Sequence, residues 1–280
     1  LDYAALRGLF PKLIYVSISG FGSTGPDAHR PGYDLAVQGL SGMMSITGSA
    51  DGPPTKVGTS IADLVAGLYA VQGTLLALYA REKTGRGQFV DISMLDGQIS
   101  LLTFQGQKFL STGDIPKRMG NRHPSICPYE TFEARDGFFN VAVGNDRLWR
   151  SFCDALALRH LENDARFKNN PGRVENHDAL FAILSPLFKT EPAGHWIDVL
   201  DRAGVPVAPI LNIDRVFSHP QVKARGMRMN LPHARIKNLE MAGVPVRLSD
   251  TPADIKKGPP LIGEHTDEIL LELGLSSEDI

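Results

Sequence analysis

The apolar positions of the chain recur in two rhythms. Leu13-Ile14-Tyr15-Val16-Ser17-Ile18 is a short β-branched run closed by Ser19-Gly20, the pattern of a buried strand. A loop rich in glycine and proline follows from Gly20 to Gly32. Leu35, Val37, Leu40 and Met43 then mark a helix over 34–44, and the loop 48–58 separates it from the next element. Residues 61–82 are apolar almost all round, which predicts a long buried core helix stopped by Gly85-Arg86-Gly87. Alternation at Val90, Ile92 and Met94 predicts a strand over 89–94, and a helix is expected over 95–110.

Beyond Ser111 the pattern changes. Residues 113–128 show no regular period and carry Lys117, Arg118, Arg122 and His123, as a linker or a functional loop would. Residues 131–143 predict a hairpin turning at Arg135-Asp136-Gly137. Helices are expected at 146–156, 176–188 and 192–203, the last with Pro192 near its start and Gly204 at its end. A strand at 205–211, a short helix at 213–217, short strands from Met227 and a final helix over 266–273 complete the chain. Strands and helices alternate, so the class is α/β.

Composition narrows the function. With 280 residues the chain can bury a core, as one large domain or two modest ones. Lys+Arg is 29 and Asp+Glu is 31, a net charge of -2, without the basic surplus that nucleic acid or an anionic membrane would want. Two cysteines, Cys127 and Cys153, make neither a disulfide scaffold nor a four-cysteine metal site, and they point to a reducing, cytoplasmic setting. The stretch Leu64 to Ala80 is short for a bilayer span. The chain opens Leu1-Asp2-Tyr3, with Tyr3-Ala4-Ala5-Leu6 already helix-like, so an upstream part of a larger protein is expected to be missing.

Gly20-Phe21-Gly22-Ser23-Thr24-Gly25 matches a dinucleotide fingerprint and follows a strand. Such a site also needs a helix at the third glycine, and Pro26, Asp27, His29, Arg30 and Pro31 make a poor one. The histidines are scattered, so no metal is implied. Cys153 lies in an apolar helical pattern and reads as core. Asp63 is the informative residue. With Ser60 as N-cap it forms a capping-box-like arrangement at the start of the long helix. The same carboxylate, kept ionised by the helix end beside a glycine loop, suits a nucleophile, with backbone N–H groups near a developing oxyanion. One residue can do both.

The ordered set Leu13 to Gly22, Arg30-Pro31-Gly32-Tyr33-Asp34, Ile61-Ala62-Asp63-Leu64-Val65-Ala66-Gly67, Lys83 to Gln88, Val90 to Met94, Gly120-Asn121, Ala203 to Pro206, Pro220 to Val222 and Gly263 to Thr266 resembles the class III CoA-transferases (CaiB/BaiF type). The resemblance runs through essentially the whole chain. It implies Asp63 as the catalytic nucleophile, forming an aspartyl-CoA thioester. It implies a CoA-binding stretch at Arg30, Pro31, Gly32 and Tyr33, and a substrate loop beginning at Gly120, Asn121 and His123. No cofactor is permanently bound; coenzyme A arrives as acyl-CoA, and a carboxylic acid is the acceptor.

The glycine run of formyl-CoA transferase is absent after Gly120, which argues against formyl-CoA as donor. Ser125-Ile126-Cys127-Pro128-Tyr129 is more like relatives that use succinyl-CoA and dicarboxylic acids. The 2-methylacyl-CoA racemases of the same superfamily are the alternative, but their acid/base histidine would fall on Tyr33, a poor base near neutral pH. A third reading is an impaired fragment that only binds CoA or a partner chain. The resemblance further implies an incomplete Rossmann-like large domain over 1–118, a small α/β domain over 119–225, a return to the large domain over 226–280, and an interlocked homodimer.

Overall fold

The structure is a computed structural model and describes residues 2–280. The chain divides into two compact units, with the boundary in the sequence between Ala208 and Pro209. In the first unit, Asp2 caps a single turn, α1 (Tyr3–Leu6), by accepting the Ala5 N–H at 2.8 Å. Strand β1 (Tyr15–Ser19) leads into the glycine loop. Helix α2 (Asp34–Leu40) and the turn α3 (Met43–Ile46) follow, then α4 (Ile61–Thr84). Strand β2 (Phe89–Ser93) pairs parallel with β1, with Tyr15 opposite Phe89 and Ser19 opposite Ser93. Helices α5 (Met94–Ser100) and α6 (Thr103–Thr112) come next.

The hairpin β3 (Tyr129–Ala134) and β4 (Gly137–Ala142) turns at the expected Asp-Gly. Around it lie α7 (Asp146–Ala155), α8 (Arg159–Glu162), α9 (Asn170–Glu175), α10 (His177–Phe188) and α11 (Ala193–Arg202). Strand β5 (Val207–Pro209) completes a three-stranded sheet of order β3-β4-β5. The second unit holds α12 (Ile213–Ser218), α13 (Pro220–Ala224), an antiparallel pair β6 (Arg228–Leu231) and β7 (Leu239–Ala242), and α14 (Thr266–Glu272). The fold is thus mixed α/β with open sheets, as the alternation implies.

Two cores lie within the first unit. The larger is aromatic: Phe188 sits 4.8 Å from Phe132, 5.1 Å from Phe139 and 5.4 Å from Trp196, ring centre to ring centre. Trp196 donates its indole N–H to the Phe188 carbonyl at 2.8 Å, so its polar edge is satisfied inside the core. The smaller core joins α2, α4 and α5 through Val37, Ala62, Ala66 and Met94.

Three expectations need correction. The helix over 34–44 breaks at Gly42, whose φ of 86° is left-handed. The helix over 95–110 breaks before Thr103, at φ 42°. The long helix is not buried all round: Ala62, Val65, Ala66 and Ala77 pack inward, while Leu64, Leu68, Leu75, Leu76 and Tyr79 are each more than half exposed. Its small residues meet α5 and the sheet, and among the described residues no element covers those five side chains. By length and composition alone, α4 is long and apolar enough to cross a membrane.

Candidate active site

Parallel strands put their carboxyl ends on one side, where α/β proteins build their crevices. Here those ends carry the Gly20 loop and Ser93. The loop is shaped by close contacts. A Cβ on Gly20 would stand 2.8 Å from the Gly32 Cα, so both ends of the loop must be glycine for the backbones to touch. Asp91 of β2 pins the middle, accepting from the Ser23 N–H at 2.9 Å and the Ser23 hydroxyl at 2.5 Å. The Gly20 carbonyl accepts from the Leu95 N–H at 3.0 Å. Turns, not a helix, follow Gly25, so the helix that a dinucleotide fingerprint needs at its third glycine does not form.

The CoA-binding stretch expected at 30–33 lies in that loop. Arg30 is exposed, pairs with Asp27 at 3.0 Å and stacks over Phe21 at 5.1 Å. Pro31 is exposed, and Tyr33 is 84% exposed, so neither is a packed core residue. Tyr33 is joined to the start of α4 through its neighbour. Asp34 Oδ1 accepts the Ala62 N–H at 3.0 Å, and Asp34 also accepts from Gln38 Nε2 at 3.0 and 2.8 Å. Gln38, fully buried, accepts in turn from the Val57 N–H at 2.9 Å.

This network overturns the expected capping role of Ser60. Ser60 is the N-cap residue but makes no side-chain cap bond, because its ψ of 68° is outside the extended region that capping needs. The Ile61 N–H folds back onto the Thr59 carbonyl at 2.9 Å instead. Asp34 does the capping from outside the helix. Asp63, in the first turn of α4, is exposed, and among the described residues no side-chain hydrogen bond or ion pair engages it.

The 118–123 stretch reaches the same neighbourhood through the loop before α4. The Gly120 N–H donates to the Gly48 carbonyl at 2.9 Å, and Arg118 donates to the Gly52 carbonyl at 2.8 Å. Gly120 itself is left-handed at φ 62°. Asn121 is exposed and lines a cavity of about 380 Å³ with Tyr129, Glu130, Asn140 and Val207. His123 is half-buried between Phe104 and Tyr129, at 5.1 and 5.2 Å. Burial pushes its imidazole down from the ordinary value. Its Nδ1 accepts the Ser125 N–H at 3.1 Å, so the proton of the neutral ring sits on Nε2.

The structure therefore joins the 30–34 stretch to the Asp63 helix, and Gly120 to the loop that leads into that helix. Among the described residues, no hydrogen bond links Asp63 to Arg30, Asn121 or His123. Asp34, Gln38 and Asp91 are the site-building residues that periodicity did not single out, since their partners are distant in sequence. Both thiols are poor nucleophiles: burial pushes Cys127 and Cys153 up to about 12. Among the described residues, no group of three side chains is placed to hold a metal ion.

A family model described as CoA-transferase family III matches residues 1–266, and the chain belongs to that family. It is 43% identical to the acetyl-CoA:oxalate CoA-transferase of Acetobacter aceti, over 94% of this chain and 67% of that one. It is 36% identical to the human succinyl-CoA:glutarate CoA-transferase, over 98% of this chain and 62% of that one. A solved CAIB/BAIF family protein from Brucella suis superposes with a TM-score of 0.83 at 40% identity, over 98% of this chain and 71% of that one. The chain thus spans about two thirds of the length of these relatives.

Proposed function

We propose that the chain carries the nucleophile of a CoA transfer from an acyl-CoA to a dicarboxylic acid, with Asp63 as the covalent residue. The observation that carries this is the state of Asp63. It stands exposed and unengaged in the first turn of α4, whose Ala62 N–H is held by Asp34. Nor does its own backbone N–H carry a hydrogen bond among the described residues, which leaves a donor for a developing oxyanion. The dicarboxylic class is supported by the relatives, whose names carry oxalate and glutarate.

The Asp63 carboxylate attacks the donor thioester carbonyl and expels CoA thiolate, giving a mixed anhydride. The thiolate attacks the Asp63 carbonyl carbon, giving the aspartyl-CoA thioester and releasing the donor acid. The acceptor carboxylate attacks that thioester and expels CoA thiolate, giving a second mixed anhydride, and the thiolate then attacks the acceptor's acyl carbon with the Asp63 carboxylate as leaving group. The new acyl-CoA leaves and Asp63 is a carboxylate again. Thioester energy is kept throughout, provided water is held off.

Arg30 is the proposed partner of a CoA phosphate, in exchange for Asp27, and Pro31, Gly32 and Tyr33 border the thioester arm. The Nε2–H of His123 and the side chain of Asn121 are the proposed donors to the acid. Oxygen tracing tests the route. With acyl-CoA and an ¹⁸O-labelled dicarboxylic acid, the first transfer leaves one acceptor oxygen on Asp63, a gain of about 2 Da in its peptide, and repeated transfers approach about 4 Da. Turnover without that gain contradicts the covalent path. Exchange of a carbon-bound proton with one substrate alone would favour the racemase chemistry.

A further inference from the structure

The loop from Arg122 to Glu130 has its two ends joined from outside. Glu130 Oε1 lies 2.8 Å from His177 Nε2, and His177 Nδ1 lies 2.8 Å from Asp178 Oδ1. Asp178 Oδ1 faces the Arg122 guanidinium at 3.9 Å, and Arg122 also donates to the Val174 carbonyl at 3.4 Å. Arg122, Asp178, His177 and Glu130 therefore form one continuous chain of polar contacts. Both ring nitrogens of His177 face carboxylates, and only a doubly protonated ring donates to both.

The middle of the loop is held by α9. Asn170 accepts from the Cys127 N–H at 3.1 Å and donates to the Ser125 carbonyl at 2.8 Å. Arg173 donates to the Cys127 carbonyl at 2.7 Å. The links differ in strength. Glu130 and His177 side chains are each 10% exposed, so their bond is little screened, whereas Asp178 is 97% exposed.

We infer that the chain Arg122–Asp178–His177–Glu130 is a clasp that positions Asn121 and His123, with Glu130–His177 as its anchoring pair. What the positioned loop serves rests on the transfer reading above. All four are positioning residues, since they act through the loop.

The test is amide hydrogen exchange over residues 121–130, with stability measured alongside. Glu130→Ala is expected to speed exchange about ten-fold and Arg122→Ala about three-fold, and the double variant no more than Glu130→Ala alone. Glu130→Gln keeps an acceptor for His177 and is expected within about two-fold of the parent. Additive effects, or wild-type exchange in Glu130→Ala, would overturn the clasp. In the labelling of Asp63 by succinyl-CoA, Glu130→Ala should raise the half-saturating concentration about five-fold with the limiting rate within about two-fold. A fall in limiting rate alone would overturn the positioning role. A wild-type chain that takes no label would instead contradict the transfer reading, and exchange alone would then decide the clasp.

Discussion

Asp34 holds the first turn of α4 by accepting the Ala62 N–H at 3.0 Å, from a helix that packs beside it. One carboxylate thereby serves two helices, since Asp34 is also the first residue of α2. The Tyr33 and Asp63 stretches are fixed to each other by this bond.

Removing Asp34 should loosen the site and the fold together. Asp34→Ala loses the cap and leaves the amide of buried Gln38 without its partner. We expect a loss of about 2 kcal/mol in urea unfolding, and about half that for Asp34→Asn. Ser60→Ala should change stability by less than about 0.5 kcal/mol, because its hydroxyl caps nothing.

The glycine loop depends on Asp91. Asp91→Ala removes both bonds to Ser23 and should speed amide exchange over residues 20–26 about ten-fold, a local loss of roughly 1.4 kcal/mol. Ser23→Ala keeps the backbone bond and should fall between the two.

Much of this fold was legible along the chain. The long helix ends at Gly85 and the hairpin turns at Asp136-Gly137, because local chemistry decides both. The breaks at Gly42 and before Thr103 were not visible, since both interrupt runs whose apolar spacing continues across them. Asp63 stood out by position and by family likeness, but the capping of its helix by Asp34 did not, because Asp34 and Ala62 meet only in three dimensions. The same holds for Glu130 and His177, which are 47 residues apart.

Arg173 should be the most sensitive position outside the site. Fully buried, it donates to the Cys127 and Phe167 carbonyls and to Asp146, and lies over Trp149 at 4.8 Å. Arg173→Ala leaves those acceptors unpaired and should cost about 3–5 kcal/mol in chemical unfolding. Lysine, a single point donor, should not restore it.

The thiols give a pH prediction. In the fold, Cys127 and Cys153 titrate near 12 because burial disfavours the thiolate. Unfolded thiols titrate at about 8.5. The folded form therefore loses stability as pH rises above the unfolded value. Iodoacetamide at pH 8 should modify neither thiol in native protein and both in urea. Rapid native labelling would contradict the burial.

The central claim concerns Asp63 as a covalent residue. The most direct measurement incubates the protein with succinyl-CoA, traps with hydroxylamine, and reads the peptide bearing Asp63 by mass spectrometry. The account predicts a hydroxamate on Asp63, absent without succinyl-CoA and absent in Asp63→Ala. Trapped label on another residue, or label that persists in Asp63→Ala, would contradict it.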